Sequence, residues 1–204
     1  MESRRLLALR IERALFFVAA IALGYCAWTR LDAAIYQELQ GSRLDDLLGR
    51  VLRSCSLAPE RGTAPRTRRE AEASGLVGRL EIPRLRTAAL VAEGTTARVL
   101  SRAVGHLPGT AFPGEAGNVV LAGHRDSYFS ALGEIRAGDL VRLSTPDGRF
   151  DYVVDSVRIV ADTETEVLSS SDSPTLTLIT CFPFHYLGPA PQRFVVRARP
   201  AGSP

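Results

Sequence analysis

Apolar and polar residues alternate in three different ways along the chain. From Ala14 to Trp28 no charge interrupts an apolar run, and Arg4, Arg5, Arg10 and Arg13 precede it. As a helix this run spans roughly 22 Å, short of the ~30 Å hydrocarbon core of a bilayer. Arg13 can snorkel at one end, and Tyr25 and Trp28 suit the interface at the other. A cleaved signal peptide has an apolar region of similar length. Its small-residue cleavage site is poor here, because Ala20-Ile21-Ala22 lies inside the run and bulky Tyr25 and Trp28 follow. The pattern therefore predicts a retained transmembrane anchor over 14–29. The arginine excess predicts residues 1–13 on the cytoplasmic side of the membrane and everything after the span outside the cell's cytoplasmic membrane.

Between 31 and 54 the period becomes helical, with Leu44, Leu47, Leu48, Val51 and Leu52 on one face. This predicts a stalk helix. Residues 57–75 are rich in Pro, Arg, Glu and small residues and read as a linker, so stalk and linker together occupy 30–75. From Gly78 onward the pattern is short and strand-like: GRLEIP, TAALVA, NVVLAGH, DLVRLS, FDYVVDSVRIV, TLTLITC and RFVVRAR. TPDG, Thr145 to Gly148, reads as a tight hairpin between two of these runs. Helical patches interrupt around Thr96–Ala103 and Ser127–Ile135. Many short strands joined by such turns predict a mainly β domain, either a small closed barrel or a sandwich.

Composition narrows the function classes. The chain has 204 residues, 46% hydrophobic and 23% charged, with a net charge of +3, which suits one ordinary domain with appendages. All 25 basic residues are arginine. They cluster only at Arg4–Arg13 and Arg61–Arg69, outside the strand-rich region and without interleaved aromatics, so no nucleic-acid partner is expected. Cys26, Cys55 and Cys181 sit in three separate regions. An odd count without paired spacing argues against a disulfide framework, and no C-x-x-C or H-x-x-x-H pair suggests zinc. No metal or cofactor is expected.

Three residues of the strand-rich region have chemistry to offer and similar settings. His124 ends NVVLAGH, Cys181 ends TLTLITC, and Arg193 opens RFVVRAR across a Pro-Gly-rich loop. Strand ends on one barrel rim can converge although they are distant in sequence. A thiol needs a base or cation beside it to become a competent nucleophile, a histidine can carry the proton, and a guanidinium keeps its charge for an oxyanion. Each residue also has a plain reading: Cys181 as small core filler, His124 as a turn histidine, Arg193 as a solvated strand residue. His185, in the loop FPFHYLGPAP, competes with His124 for the role of base. His106 precedes LPGT in a turn-rich loop and reads as structural. The spacing alone leaves a Cys-His-Arg site open.

The blocks AGHRD (122–126), TLITC (177–181) and RFVV (from Arg193) resemble the signature blocks of the sortases. GHLPGTAFPGEAGNVVLAGHRD and TLTLITCFPFHYLGPAPQRFVVRAR are especially similar to the class D branch. The resemblance covers about residues 78–199. It implies an eight-stranded barrel with short helices over 76–200, behind a transmembrane helix and stalk. It further implies a membrane-tethered cysteine transpeptidase that cleaves an L-P-x-T-[GA] sorting signal on surface proteins. Carried over by position, Cys181 attacks, His124 is general acid and base, and Arg193 steadies the carbonyl and oxyanion. An amine from a cell-wall precursor or a pilin then resolves the acyl-enzyme. LPGTA at 107–111 mimics such a signal, but FPGEAGN follows rather than an apolar segment and basic tail, so it reads as a turn. Two rival readings are a membrane-anchored barrel that binds peptide without catalysis and another cell-wall thiol transpeptidase. The presence of all three side chains weighs against the first. The second usually sets its cysteine in a Ser/Gly-rich block, unlike TLITC.

Overall fold

The structure, a computed structural model, describes residues 2–54, 66–170, 173–186 and 188–202. It opens with a helix, α1 (Glu2–Ser54), followed by a second, α2 (Arg66–Ser74). Eight strands come next: β1 (Leu76–Ile82), β2 (Thr87–Glu93), β3 (Val104–His106), β4 (Asn118–Ala122), β5 (Leu140–Thr145), β6 (Gly148–Ala161), β7 (Thr175–Phe182) and β8 (Gln192–Pro200). A one-turn helix, α3 (Ala97–Leu100), carries the chain from β2 to β3, and 3₁₀ turns cover Pro83–Leu85, Ser130–Glu134 and Glu166–Leu168.

The strands close into a barrel in the order β1-β2-β3-β4-β7-β8-β6-β5. The β2–β3 and β4–β7 pairs are parallel and the others antiparallel. Closure leaves no open edge. The period-2 alternation decides which side chains fill it. Val119 and Leu121 of β4, Leu176 and Leu178 of β7, and Phe194, Val196 and Ala198 of β8 pack into the central core. Their neighbours face outward, where Ile179 and Val195 form a second cluster with Val160 and Val167. The hairpin at TPDG forms as the pattern predicts: Thr145 pairs with Gly148 across Pro146-Asp147, and Gly148 sits at φ 136, where glycine is favoured.

Two expectations need correction. The segment 57–75 is not linker throughout: Arg66–Ser74 is helical and packs on the barrel, with Thr67 and Ala71 buried. Its first turn is satisfied from a distance, because the Asp147 carboxylate accepts hydrogen bonds from the Arg66 and Thr67 amides at 2.9 and 2.8 Å. A cap supplied by another part of the chain leaves no local signal. His106 does not lie in a loop; it ends β3, which is too short to show an alternation.

The segments read as anchor and stalk lie in one uninterrupted helix. Its apolar portion stands uncovered, with Phe16 75% exposed, and the stretch Leu9–Leu47 of the helix is long and apolar enough, by length and composition, to cross a membrane. Past Leu31 the same helix docks on the barrel. Asp32 takes a bidentate ion pair from Arg102 at 2.6 and 2.9 Å, and Gln37 bridges the Arg102 carbonyl and the Leu90 amide. Leu44 is fully buried against Leu76, Leu90, Ala92 and Ala103, which stabilises the dock by about 2 kcal/mol. The side chains of Leu48, Val51 and Leu52 and the whole of Cys55 lie outside the described residues.

Candidate active site

β4 and β7 run parallel and finish on the same rim of the barrel. Their register pairs Asn118 with Thr175 and Ala122 with Ile179. Two residues further on, His124 and Cys181 leave the sheet at the same height. The ladder continues past the last formal pair, because the Gly123 amide donates to the Ile179 carbonyl at 3.2 Å and the Thr180 hydroxyl donates to the Gly123 carbonyl at 2.8 Å. On the other side of β7, Cys181 is paired directly with Arg193 of β8. Side chains so paired have Cβ atoms about 4.5–5.5 Å apart on the same face of the sheet. Cys181 shares the alternation of Thr177 and Ile179, and Arg193 that of Val195 and Arg197, so both project from the outer face and not into the core. The core-filler reading of Cys181 is thereby removed: the thiol is free and half-buried, on the outside.

His124 is exposed. Its backbone is fixed although its ring is not enclosed: the His124 carbonyl accepts from the Ser127 and Phe129 amides, which opens a tight turn. Phe129 is fully buried below, and a Cβ on Gly123 would meet its ring at 2.7 Å. Glycine at 123 is thus required by close approach, and the packing of Phe129 against it sets the direction in which His124 leaves the barrel. Arg193 is held in place by its own loop, with Nη1 donating to the Ala190 and Gln192 carbonyls at 3.0 Å each. Its Nη2 lies 4.0 Å from Asp162 Oδ2.

The loop between β7 and β8 starts at a cis Phe182–Pro183 bond. Phe182, Phe184 and Phe194 cluster at this end of the core, with ring centroids 5.1 to 6.2 Å apart. His185, the competing base, is exposed on this loop, beyond the aromatic cluster. Sequence reasoning missed Arg125. Its Nη2 donates to the Tyr186 and Gly188 carbonyls at 2.7 and 3.1 Å, and its guanidinium lies 5.8 Å from the Tyr186 ring centre. The residue after His124 therefore ties the Cys181–Arg193 loop back to the β4 end. Its position inside AGHRD was the available signal.

His106 is bound on every side at the opposite rim. It is wholly buried, with Nδ1 2.6 Å from Glu93 Oε2, Nε2 2.9 Å from the Ala111 carbonyl, and the ring 4.5 Å from that of Phe112. The LPGTA segment beside it is a turn, closed by the Thr110 amide on the Leu107 carbonyl at 3.2 Å. Among the described residues no group of three or more His, Cys, Asp or Glu side chains could hold a metal ion.

These features have counterparts in known proteins. Residues 80–201 match the sortase domain family. The chain is 34% identical to Sortase D of Bacillus subtilis over 82% of its length and 78% of the relative's. Among solved structures it is similar to a Sortase D5 transpeptidase of Clostridium perfringens, with 28% identity, a TM-score of 0.59, and 67% and 87% of the two chains covered. Sortase C-1 of Actinomyces oris superposes with a TM-score of 0.60 at 26% identity, covering 72% of this chain and 85% of that one. A half-exposed thiol on the barrel's outer face, paired with an arginine and level with a histidine, thus sits in a chain that belongs to the sortase family, resembles its class D branch and is a cysteine transpeptidase.

Proposed function

We propose that Cys181 is the nucleophile, His124 the general acid and base, and Arg193 the donor that steadies the reacting carbonyl. The observation that carries this reading is the strand register, which pairs Cys181 with Arg193 and brings His124 to the same height. In the first half-reaction the Cys181 sulfur adds to the carbonyl carbon of the scissile peptide. His124 takes up the thiol proton and delivers it to the departing amine as the C–N bond breaks, leaving a thioester. In the second half-reaction an incoming amine gives a proton to His124 and attacks the thioester. A new amide forms and the thiol is restored. Arg193 offers a charged fork to the tetrahedral oxyanion on both passes. One arm of that fork rests on loop carbonyls, which leaves the arm near Asp162 for the substrate.

Enzymes of this family act on surface proteins that carry a sorting signal. For this chain the substrate is a signal of the L-P-x-T-[GA] type, cut after the threonine, and the acceptor is an amine on a cell-wall precursor or a pilin. Residues 14–29 cross the cytoplasmic membrane once, residues 1–13 stay inside, and residues 30–75 link the span to a catalytic domain at 76–200 outside. The long apolar helix and the arginines before it support this topology.

The test is a fluorescent L-P-x-T-G peptide offered with and without an amine such as triglycine. Cleavage together with the ligated product is expected. Failure to cut any member of an x- and terminal-residue library, by a protein whose melting curve is normal, would remove the substrate assignment.

A further inference from the structure

The docking of α1 fixes which end of the barrel lies nearest the start of the helix. β3 runs antiparallel to β4, with Gly105 opposite Ala122, so Arg102, just before β3, lies at the rim that carries His124. The Tyr128 hydroxyl, in the turn after His124, donates to the Arg102 carbonyl at 2.7 Å. The Arg102 guanidinium grips Asp32, early in the docked part of α1. Further along the helix the contacts move away from that rim. Asp45 faces Arg79 of β1, and Arg43 lies 3.9 Å from Glu70 of α2, which leads into the opposite rim. α1 therefore descends the barrel wall from the Cys181 rim to the far rim, and its apolar portion projects past the Cys181 rim.

We infer that α1 is a post that holds the Cys181 rim against the bilayer surface, with the headgroup layer as the surface it faces. The inference rests on the anchor reading above. Trp28 ends the apolar run, and Asp32 follows about 6 Å further along the helix axis. The headgroup layer is about 5–8 Å deep on each side of a ~30 Å core. The rim gripped through Asp32 is thus level with the headgroups, and the far rim points away from the membrane. Trp28 and Tyr186, 68% and 46% exposed, are the aromatic types that settle at that level. The active site then opens towards lipid, and it reaches a peptide bond only where that bond lies close to the bilayer. Arg102 and Asp32 are positioning residues here; neither belongs to the site chemistry.

The test uses the full-length protein in lipid vesicles. A fluorescent amino acid is placed at exposed Ser127 on the Cys181 rim or, in a second protein, at exposed Ala116 on the far rim. Lipids with a nitroxide headgroup are the quencher. Quenching is expected to be several-fold stronger at position 127 than at 116, and the difference should shrink when Asp32→Ala and Gln37→Ala release the dock. Protein that floats with the vesicles but shows equal or reversed quenching would overturn the orientation while leaving the anchor intact. A difference that persists after release would overturn α1 as its cause. Failure to float would remove the anchor, and the orientation with it. None of these readings depends on the peptide assay, so loss of the catalytic reading is scored separately.

Discussion

The two rims of the barrel treat their polar groups in opposite ways. On the far rim His106 is buried, both ring nitrogens have partners, and Phe112 covers the ring. Glu115 nearby accepts from Arg68 and from the Phe112 amide at 2.8 and 2.9 Å. On the near rim His124 is exposed, Cys181 half-buried and Arg193 only partly engaged. A buried polar group must be fully paired or it costs stability. A reacting group must keep unpaired capacity for a substrate. The same residue type is structural at one rim and available at the other because of what closes around it.

Substitutions at the two rims should separate accordingly. The largest effect is expected from Cys181→Ala, which should reduce peptide cleavage to background with an unchanged melting temperature, while Cys26→Ala leaves cleavage nearly intact. Equal losses at both cysteines in a turnover assay would break the contrast. Next comes the histidine pair. His124→Ala should lower turnover by at least about 100-fold with little change in stability, as is usual for a lost general acid or base. His106→Ala should do the reverse, lowering stability in urea unfolding by about 3 kcal/mol, because it opens a cavity and strands the Glu93 carboxylate and the Ala111 carbonyl. A folding defect in the first or a turnover defect in a still-folded second would contradict the division. His185→Ala should leave kcat near the wild-type value, with any loss confined to KM.

Arg193 should rank just below. Losing an oxyanion donor costs about 3–4 kcal/mol, so Arg193→Ala should slow single-turnover acylation by roughly 100- to 1000-fold. Lysine should rescue it poorly, since one ammonium cannot reproduce the planar fork. Arg197→Ala is the control, two same-face positions further from Cys181 along β8, opposite Thr177. A lowered melting temperature with near-normal acylation would reassign Arg193 to holding the Ala190 loop.

The smallest effect concerns pH. Asp139 accepts from Arg84 at 2.6 and 2.7 Å and from the Arg136 amide at 2.7 Å. The Arg84 side chain, outweighing burial, holds its carboxyl below the usual carboxylate range. A folded-state value below the unfolded one means that the unfolded chain binds the proton more readily. The contribution is therefore complete above the ordinary carboxylate value of about 4 and fades as pH falls through the lower, folded one. Asp139→Asn should lower the melting temperature at pH 7 and narrow its gap to wild type as pH falls below about 4. A gap independent of pH would show that Asp139 does not stabilise the fold through its charged pair with Arg84.

Much of the near rim was legible in the sequence. Each of the seven runs read as strands contains a strand, because alternation records which side is buried. The histidine, cysteine and arginine blocks stand at strand ends, where a rim can gather them. Spacing could not choose between His124 and His185. The parallel β4–β7 register, which appears only once the barrel closes, sets His124 level with Cys181 and is what supports the proposal for His124. The far rim was less legible for a related reason. β3 is three residues long, α2 is capped by Asp147 from another turn, and the partners of His106 come from β2 and the loop after β3. Arg125 escaped because its acceptors are carbonyls more than sixty positions away, which no local pattern records.

The central claim is that Cys181 carries the acyl group. The direct measurement is intact mass spectrometry of the enzyme quenched in acid during turnover of an L-P-x-T-G peptide without an amine acceptor, followed by peptide mapping. The predicted result is an adduct equal to the peptide up to its threonine, located on Cys181 and removed by hydroxylamine or triglycine. An adduct on any other residue, or turnover that proceeds at the normal rate in Cys181→Ala, would contradict it.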